Sequence, residues 1–263
     1  MGRQRSRALE NPFTRLEAGR LLVYVAVSVI ASGLSSEIVP LIWPEASSAL
    51  QGAVFGLLWS ALLLALLIRA GRRASIAWPR LFGRSPSVRT LSRLTTTAIP
   101  LAAISVDTQF LVLLPLSYLM PAWVGTLLLE RCQSVPASGP DRWVSGTIDA
   151  AVAILLAPVT EELLCRGYLL HRWGLKWSTR RAVLLTSVVF GVLHLELEQV
   201  VSGFVHGLAF SLMYLETRSL LVPVAVHAAN NALASLASLL PIGSICSVAA
   251  LRSWWWEIGR AHV

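Results

Sequence analysis

Charged residues make up only 14% of this 263-residue chain, against about 25% in a typical soluble domain. That shortage excludes a disordered chain and a nucleic-acid-binding domain that lives in water. Cysteine is scarce as well. Cys132, Cys165 and Cys246 are odd in number and lack metal-ligand spacing, so no disulfide framework is expected. Lysine occurs once, as Lys176, among 22 basic residues, a bias that fits a GC-rich bacterial genome. There is no HExxH zinc motif, no internal repeat and no sign of a second domain.

What the chain has is apolar length. It is 55% hydrophobic, with a mean hydropathy of +0.66. Apolar segments fall near 21–43, 51–69, 110–129, 145–170, 182–195, 200–215, 219–238 and 242–251. With about 20 residues needed per helical span, this predicts an all-α, polytopic transmembrane bundle of about eight spans. The first segment is too long for a signal-peptide core and reads as a retained helix. The third is ambiguous: Pro100, Pro115 and Pro121 interrupt it, which allows a kinked helix or a helix plus a re-entrant piece. The eighth is short and would lean on Trp254, Trp255 and Trp256 as an interfacial anchor.

Basic residues give the orientation. Arg3, Arg5, Arg7, Arg15 and Arg20 precede the first segment, and Arg69 to Arg93 follow the second with no acid between 70 and 95. Arg172, Lys176, Arg180 and Arg181 lie between the fourth and fifth, Arg218 between the sixth and seventh, and Arg252 and Arg260 after the eighth. Counting eight spans puts every cluster on one side, which the positive-inside rule makes the cytoplasm. Both termini are then cytoplasmic. The expected organisation is a basic arm (1–20), one transmembrane domain (21–251, with a catalytic core about 145–238) and a short tail (252–263). The formal charge of +8 suits anionic lipid rather than nucleic acid. The expected location is a bacterial plasma or inner membrane.

Ionisable groups inside spans are costly and therefore point to function. They gather in the second half: Glu161, Glu162 and Arg166 in the fourth segment, His194 in the fifth, His206 in the sixth, and His227, Asn230 and Asn231 in the seventh. Glu37 and Asp107 are the first half's share. At about 1.5 Å rise per residue, Glu161, His194, His227 and Asn231 reach similar depths, about 14–20 Å from the basic loops. Glu162 and Arg166 are four apart and can pair on one face. Glu161 is turned about 100° away. His227 and Asn231, also four apart, can present two donors to one oxygen.

Glu161-Glu162-Leu163-Leu164-Cys165-Arg166 fits EExxxR, Phe190 to His194 fits FxxxH, and His227 to Asn231 fits HxxxN. In order and spacing these resemble the CPBP intramembrane proteases (CAAX protease and bacteriocin-processing, also ABI; CAAX prenyl protease 2/lysostaphin-resistance-protein-A-like), over about residues 145–238. The resemblance implies a multi-helix membrane endopeptidase. Glu161 and His194 would handle the water, and His227 and Asn231 would stabilise the oxyanion. The residue chemistry agrees: a carboxylate base suits water activation, and paired donors suit a tetrahedral oxyanion.

Plainer roles remain for several groups. Glu162 with Arg166 reads first as an ion pair that holds the helix. His206, inside Gly203-Phe204-Val205-His206-Gly207, reads as a packing or supporting residue beside a GxxxG seam. Glu196 and Glu198 read as a solvated external turn, Cys165, four after Glu161, as a thiol without the setting of a nucleophile, the tryptophans as interface anchors, and Asn230 as the alternative to Asn231. No cofactor is favoured. A zinc variant would use Glu161, His194 and His227 as ligands. Rival classes are an idle scaffold or immunity protein and a transporter, the latter lacking matched broken helices. The expected partners are the bilayer and a membrane-associated peptide near the cytoplasmic face, and no nucleic acid.

Overall fold

The computed structural model describes residues 11–83, 85–134, 141–194, 196–237 and 245–253. Arg3, Arg5, Arg7, Arg84, the tryptophan run at 254–256 and Arg260 lie outside the described residues. Among those described, all regular structure is helical. A 3₁₀ turn, Pro12–Arg15, capped by the Asn11 side chain, leads into α1 (Ala18–Ile42) and α2 (Ser48–Arg73). Two short helices of the basic tract follow, α3 (Trp78–Phe82) and α4 (Val88–Thr95), then α5 (Ala98–Leu119) and α6 (Pro121–Ser134).

The fourth apolar segment sits in a nearly continuous helical rod. It comprises α7 (Asp141–Ala151), a π turn (Val152–Leu156), α8 (Ala157–Glu162), a second π turn (Leu163–Leu169) and α9 (Leu170–Lys176). α10 (Thr179–Val192), α11 (Leu197–Thr217) and α12 (Leu221–Ala237) complete the bundle. Among the described residues, three stretches are long and apolar enough to cross a membrane: Ser48–Arg73, Val88–Leu119 and Leu197–Thr217.

The main core joins the rod to α2, α10, α11 and α12, with Tyr168, Leu164, Phe190, Phe210 and Leu220 each no more than 1% exposed. Close helix approach depends on glycine. A Cβ on Gly203 would stand 2.9 Å from Gly191 Cα, and one on Gly207 2.7 Å from Ser187 Cα. The small-residue seam read from the sequence is thus the α10–α11 contact. At the basic end, Gly83 has φ +70°, and a Cβ there would lie against the backbone of Arg218 and Ser219. Ser219 Oγ also donates to Phe82 O at 2.8 Å, which fastens the basic tract under the α11–α12 turn.

Three expectations need correction. The third apolar segment is neither a single helix nor bounded at 110. It begins at Ala98, breaks at Met120 (φ −136°, ψ 59°) and resumes at Pro121, where a first-turn proline leaves no hydrogen bond missing. Cysteine is the second correction: Cys132 and Cys246 form a disulfide, and Cys165 is a buried free thiol. Two cysteines 114 residues apart carry no local signal of pairing. The bond closes a small second cluster of Phe110, Leu113, Val124, Leu128 and Leu251. Third, Arg252 does not join the basic loops. Its Nε donates to Ser117 Oγ at 3.1 Å and its guanidinium lies 4.0 Å from the Tyr118 ring centroid, at the end of α5 remote from Ala98.

Candidate active site

The six residues of α8 between the two π turns carry Glu161 and Glu162. π turns add a residue per hydrogen-bonded ring, re-aim the side chains that follow, and recur at functional sites. Glu162 and Arg166, both 0% exposed, meet at 3.0 Å between Oε1 and a guanidinium nitrogen. The remaining guanidinium donors go to Gly207 O (2.7 Å) and Ser211 Oγ (3.3 Å). Its plane lies 4.6 Å from the Phe190 centroid and 5.4 Å from that of Phe210. Arg166 therefore ties the rod to α11, an arrangement that keeps a buried charge fully paired.

Glu162 Oε1 also accepts from His227 Nδ1 at 3.1 Å. That bond fixes the ring so that Nε2 faces Glu161 Oε2 at 4.0 Å. The imidazole is stacked on Phe210 (5.1 Å between centroids) and lies edge-on to Phe190 (5.5 Å). Glu161 is 14% exposed, and its Oε2 takes no hydrogen bond from the described residues.

The FxxxH motif acquires a local reason. His194 Nδ1 donates to Phe190 O, one turn back, at 2.9 Å. With Nδ1 so engaged, Nε2 is the nitrogen left to meet a ligand. Asn231 donates its amide to Ala153 O at 2.8 Å, across to the first π turn. Its neighbour Asn230 donates to Asn231 Oδ1 at 3.5 Å and faces His206 Nε2 through its own Oδ1 at 3.4 Å. His206 Nδ1 donates to Ser202 O at 2.6 Å.

A cavity of about 240 Å³ brings these groups together, with His194, His206, His227, Asn230 and Asn231 in its wall. Glu161 is not among the lining residues and meets the site through the His227 edge. Both asparagines line the cavity, so HxxxN contributes two adjacent amides rather than one. His206 lies in the wall too, beyond the packing role read from its GxxxG setting.

Glu198 is the residue that sequence reasoning missed. Read as solvated, it is 1% exposed and lines the cavity. Glu198, Ser202 and His206 are spaced i, i+4, i+8 on α11, a polar stripe that helical periodicity could have revealed. Glu196, by contrast, is exposed. No three His, Cys, Asp or Glu side chains among the described residues gather closely enough to hold a metal ion.

Comparison with known proteins follows the same stretch of chain. Residues 143–233 match the family described as type II CAAX prenyl endopeptidase Rce1-like. Over 91 residues the chain is 26% identical to a Bacillus subtilis (strain 168) protein named "Putative membrane peptidase YdiL". The alignment takes in 35% of this chain and 37% of that protein, so the chain spans little more than a third of the relative's length. No solved structure matches.

Proposed function

We infer that this chain, which over residues 143–233 is similar to the CAAX-protease family, is a membrane-embedded endopeptidase that hydrolyses a peptide bond of a membrane-associated substrate. One observation carries the reading. Separate helices converge on a single 240 Å³ cavity with His194, His227 and Asn231 in its wall, and Glu161 stands against the His227 ring.

In this reading, Glu161 takes a proton from water as the water oxygen bonds to the scissile carbonyl carbon. His194 Nε2 orients that water, since Nδ1 is held by Phe190 O. The negative charge that develops on the carbonyl oxygen meets His227 and the Asn231 amide, where little water screens it. The tetrahedral species then breaks its C–N bond, and Glu161 returns the proton to the leaving nitrogen. Glu162, shared between Arg166 and His227, positions His227 and does not touch the substrate.

The experiment is Glu161→Gln in intact membranes. Loss of all cleavage with normal insertion and yield supports the reading. Undiminished activity would overturn it in favour of an idle scaffold or a transport site. A zinc-dependent variant would lose activity under a chelator and regain it with zinc. No step proposed here runs through a metal.

A further inference from the structure

The cavity and the basic loops lie at opposite ends of the bundle. On α11, Arg218 follows the helix at the basic end, and the cavity-lining positions run from Phe210 to Glu198. At about 1.5 Å per residue they lie about 12–30 Å from Arg218. On α10 the lining positions are Phe190 and, just past its end, His194, while Arg180 and Arg181 occupy the first turn. On α12 the lining begins at His227 and continues through Asn230 and Asn231 to Ala234, away from Arg218.

Burial follows the same axis past the ends of α10 and α12, while Glu198 on α11 stays buried in the wall. Phe190 (1%), Phe210 (0%) and His227 (4%) form the closed floor. His194 and Asn231, each farther from the basic end on its own segment, are only partly buried, as is Gln199 near the start of α11, and Ala234 is exposed. Beneath the floor the bundle is sealed. Tyr168, Val226, Leu220 and Tyr214 are buried there in one cluster, which extends to Leu16 and Leu81 at the basic face. Phe13 adds a stopper by stacking on His171 at 4.2 Å. Among the described residues, this buried cluster stands between the basic face and His227.

We propose that the cavity admits its substrate from the face opposite the arginine-rich loops, so that the substrate is an extracytoplasmic segment lying next to a membrane anchor. The assignment rests on the endopeptidase reading and on the positive-inside rule. It replaces the cytoplasmic-face substrate expected from the sequence. A helix about 10–12 Å across fills such a volume within roughly one turn, so the segment enters extended. The rim residues Gln199, Asn231 and Ala234 are uncharged, which suits a neutral, unwound stretch rather than a strongly charged one. Glu198 and three histidines in the wall supply its polar contacts.

Two measurements test this. In whole cells, a membrane-impermeant maleimide should label Gln199→Cys and Ala234→Cys, while Arg180→Cys should react only after permeabilisation. The native cysteines give little background, two being bonded and one buried. Labelling of Arg180→Cys from outside, or of the rim positions only after permeabilisation, would overturn the proposal. So would rim positions that stay unreactive on both sides. This readout does not depend on proteolysis.

The second measurement maps new protein termini in cells carrying the wild type or Glu161→Gln. Termini that depend on Glu161 should fall in extracytoplasmic juxtamembrane stretches, and termini in cytoplasmic stretches would overturn the assignment. If no terminus depends on Glu161, the endopeptidase reading fails, and the labelling still decides which way the cavity opens.

Discussion

Asn231 donates its side-chain amide to the carbonyl of Ala153 at 2.8 Å, and Pro158 is the reason that carbonyl is free. In the π turn Val152–Leu156 the next backbone donor, Ala157 N–H, reaches back five residues to Val152 O. The equivalent partner for Ala153 O would be the N–H of residue 158, which proline lacks. Asn231 fills the gap from α12 and so fixes the turn from which α8 and Glu161 start. The amide has a second N–H, which remains for the cavity.

The first prediction separates those two roles. Asn231→Ala should lower stability by about 1–3 kcal/mol, the cost of an unsatisfied buried carbonyl, and lower turnover by roughly 10²–10³ if the oxyanion role also holds. Adding Pro158→Ala returns a backbone donor to Ala153. The double variant should regain thermal stability and hydrogen-exchange protection in residues 152–162 while turnover stays low. A double variant no more stable than Asn231→Ala would show that the Ala153 contact is incidental. Asn230→Ala should affect turnover much less than Asn231→Ala.

The second prediction concerns Arg166. Its removal leaves Glu162 buried without its cation and takes the guanidinium donor from Gly207 O, to which Ser211 Oγ still donates. Arg166→Ala should cost on the order of 3–5 kcal/mol, seen as reduced folded yield and a lower melting temperature in detergent. Lost activity at unchanged melting temperature would instead make Arg166 a participant in the reaction.

These two cases mark how far the sequence could be read. EExxxR, FxxxH and HxxxN were legible because each puts ionisable or amide groups in an apolar helix at one-turn spacing. The Glu162–Arg166 pair followed from that spacing alone. Contacts between distant segments were not legible. Nothing local says that Cys132 meets Cys246, that Arg252 turns to Ser117, or that Asn231 answers a proline 73 residues away. Glu198 was misread because an acid near a turn is normally solvated, and only the packing of α11 against its neighbours buries it. Helix rise gave similar distances from the basic loops for Glu161, His194, His227 and Asn231, yet which end of the bundle is open depends on the core beneath Phe190 and Phe210.

A third prediction uses the disulfide. Under denaturing conditions without reductant the chain should expose one reactive thiol, Cys165, and after reduction three. A maleimide of known mass counts them on a gel. A cross-link over 114 residues stabilises by about 4–5 kcal/mol in the chain-entropy account, so the double Cys132→Ser/Cys246→Ser variant should melt earlier. Three reactive thiols before reduction would refute the bond.

The last prediction is a pH dependence at the basic face. His171 lies past the end of the fourth apolar segment. Its Nε2 is 2.6 Å from the Tyr214 hydroxyl and its ring is stacked on Phe13. Burial, then the nearby Arg218, pushes its pKa down to about 4 from 6.5. The unfolded or undocked state thus binds a proton more readily than the docked one. Stability is full above pH 6.5 and falls as pH drops through the window from 6.5 toward 4, because protonation favours release. Acidification across that range should free the segment around Phe13, measured as faster proteolysis near Arg15, while the Arg166 cluster stays intact. Replacing His171 by Gln removes the titrating group, so proteolysis should lose its pH dependence in that window. If the pH dependence persists in His171→Gln, another group controls the segment, and the stacking of Phe13 on His171 has no part in it.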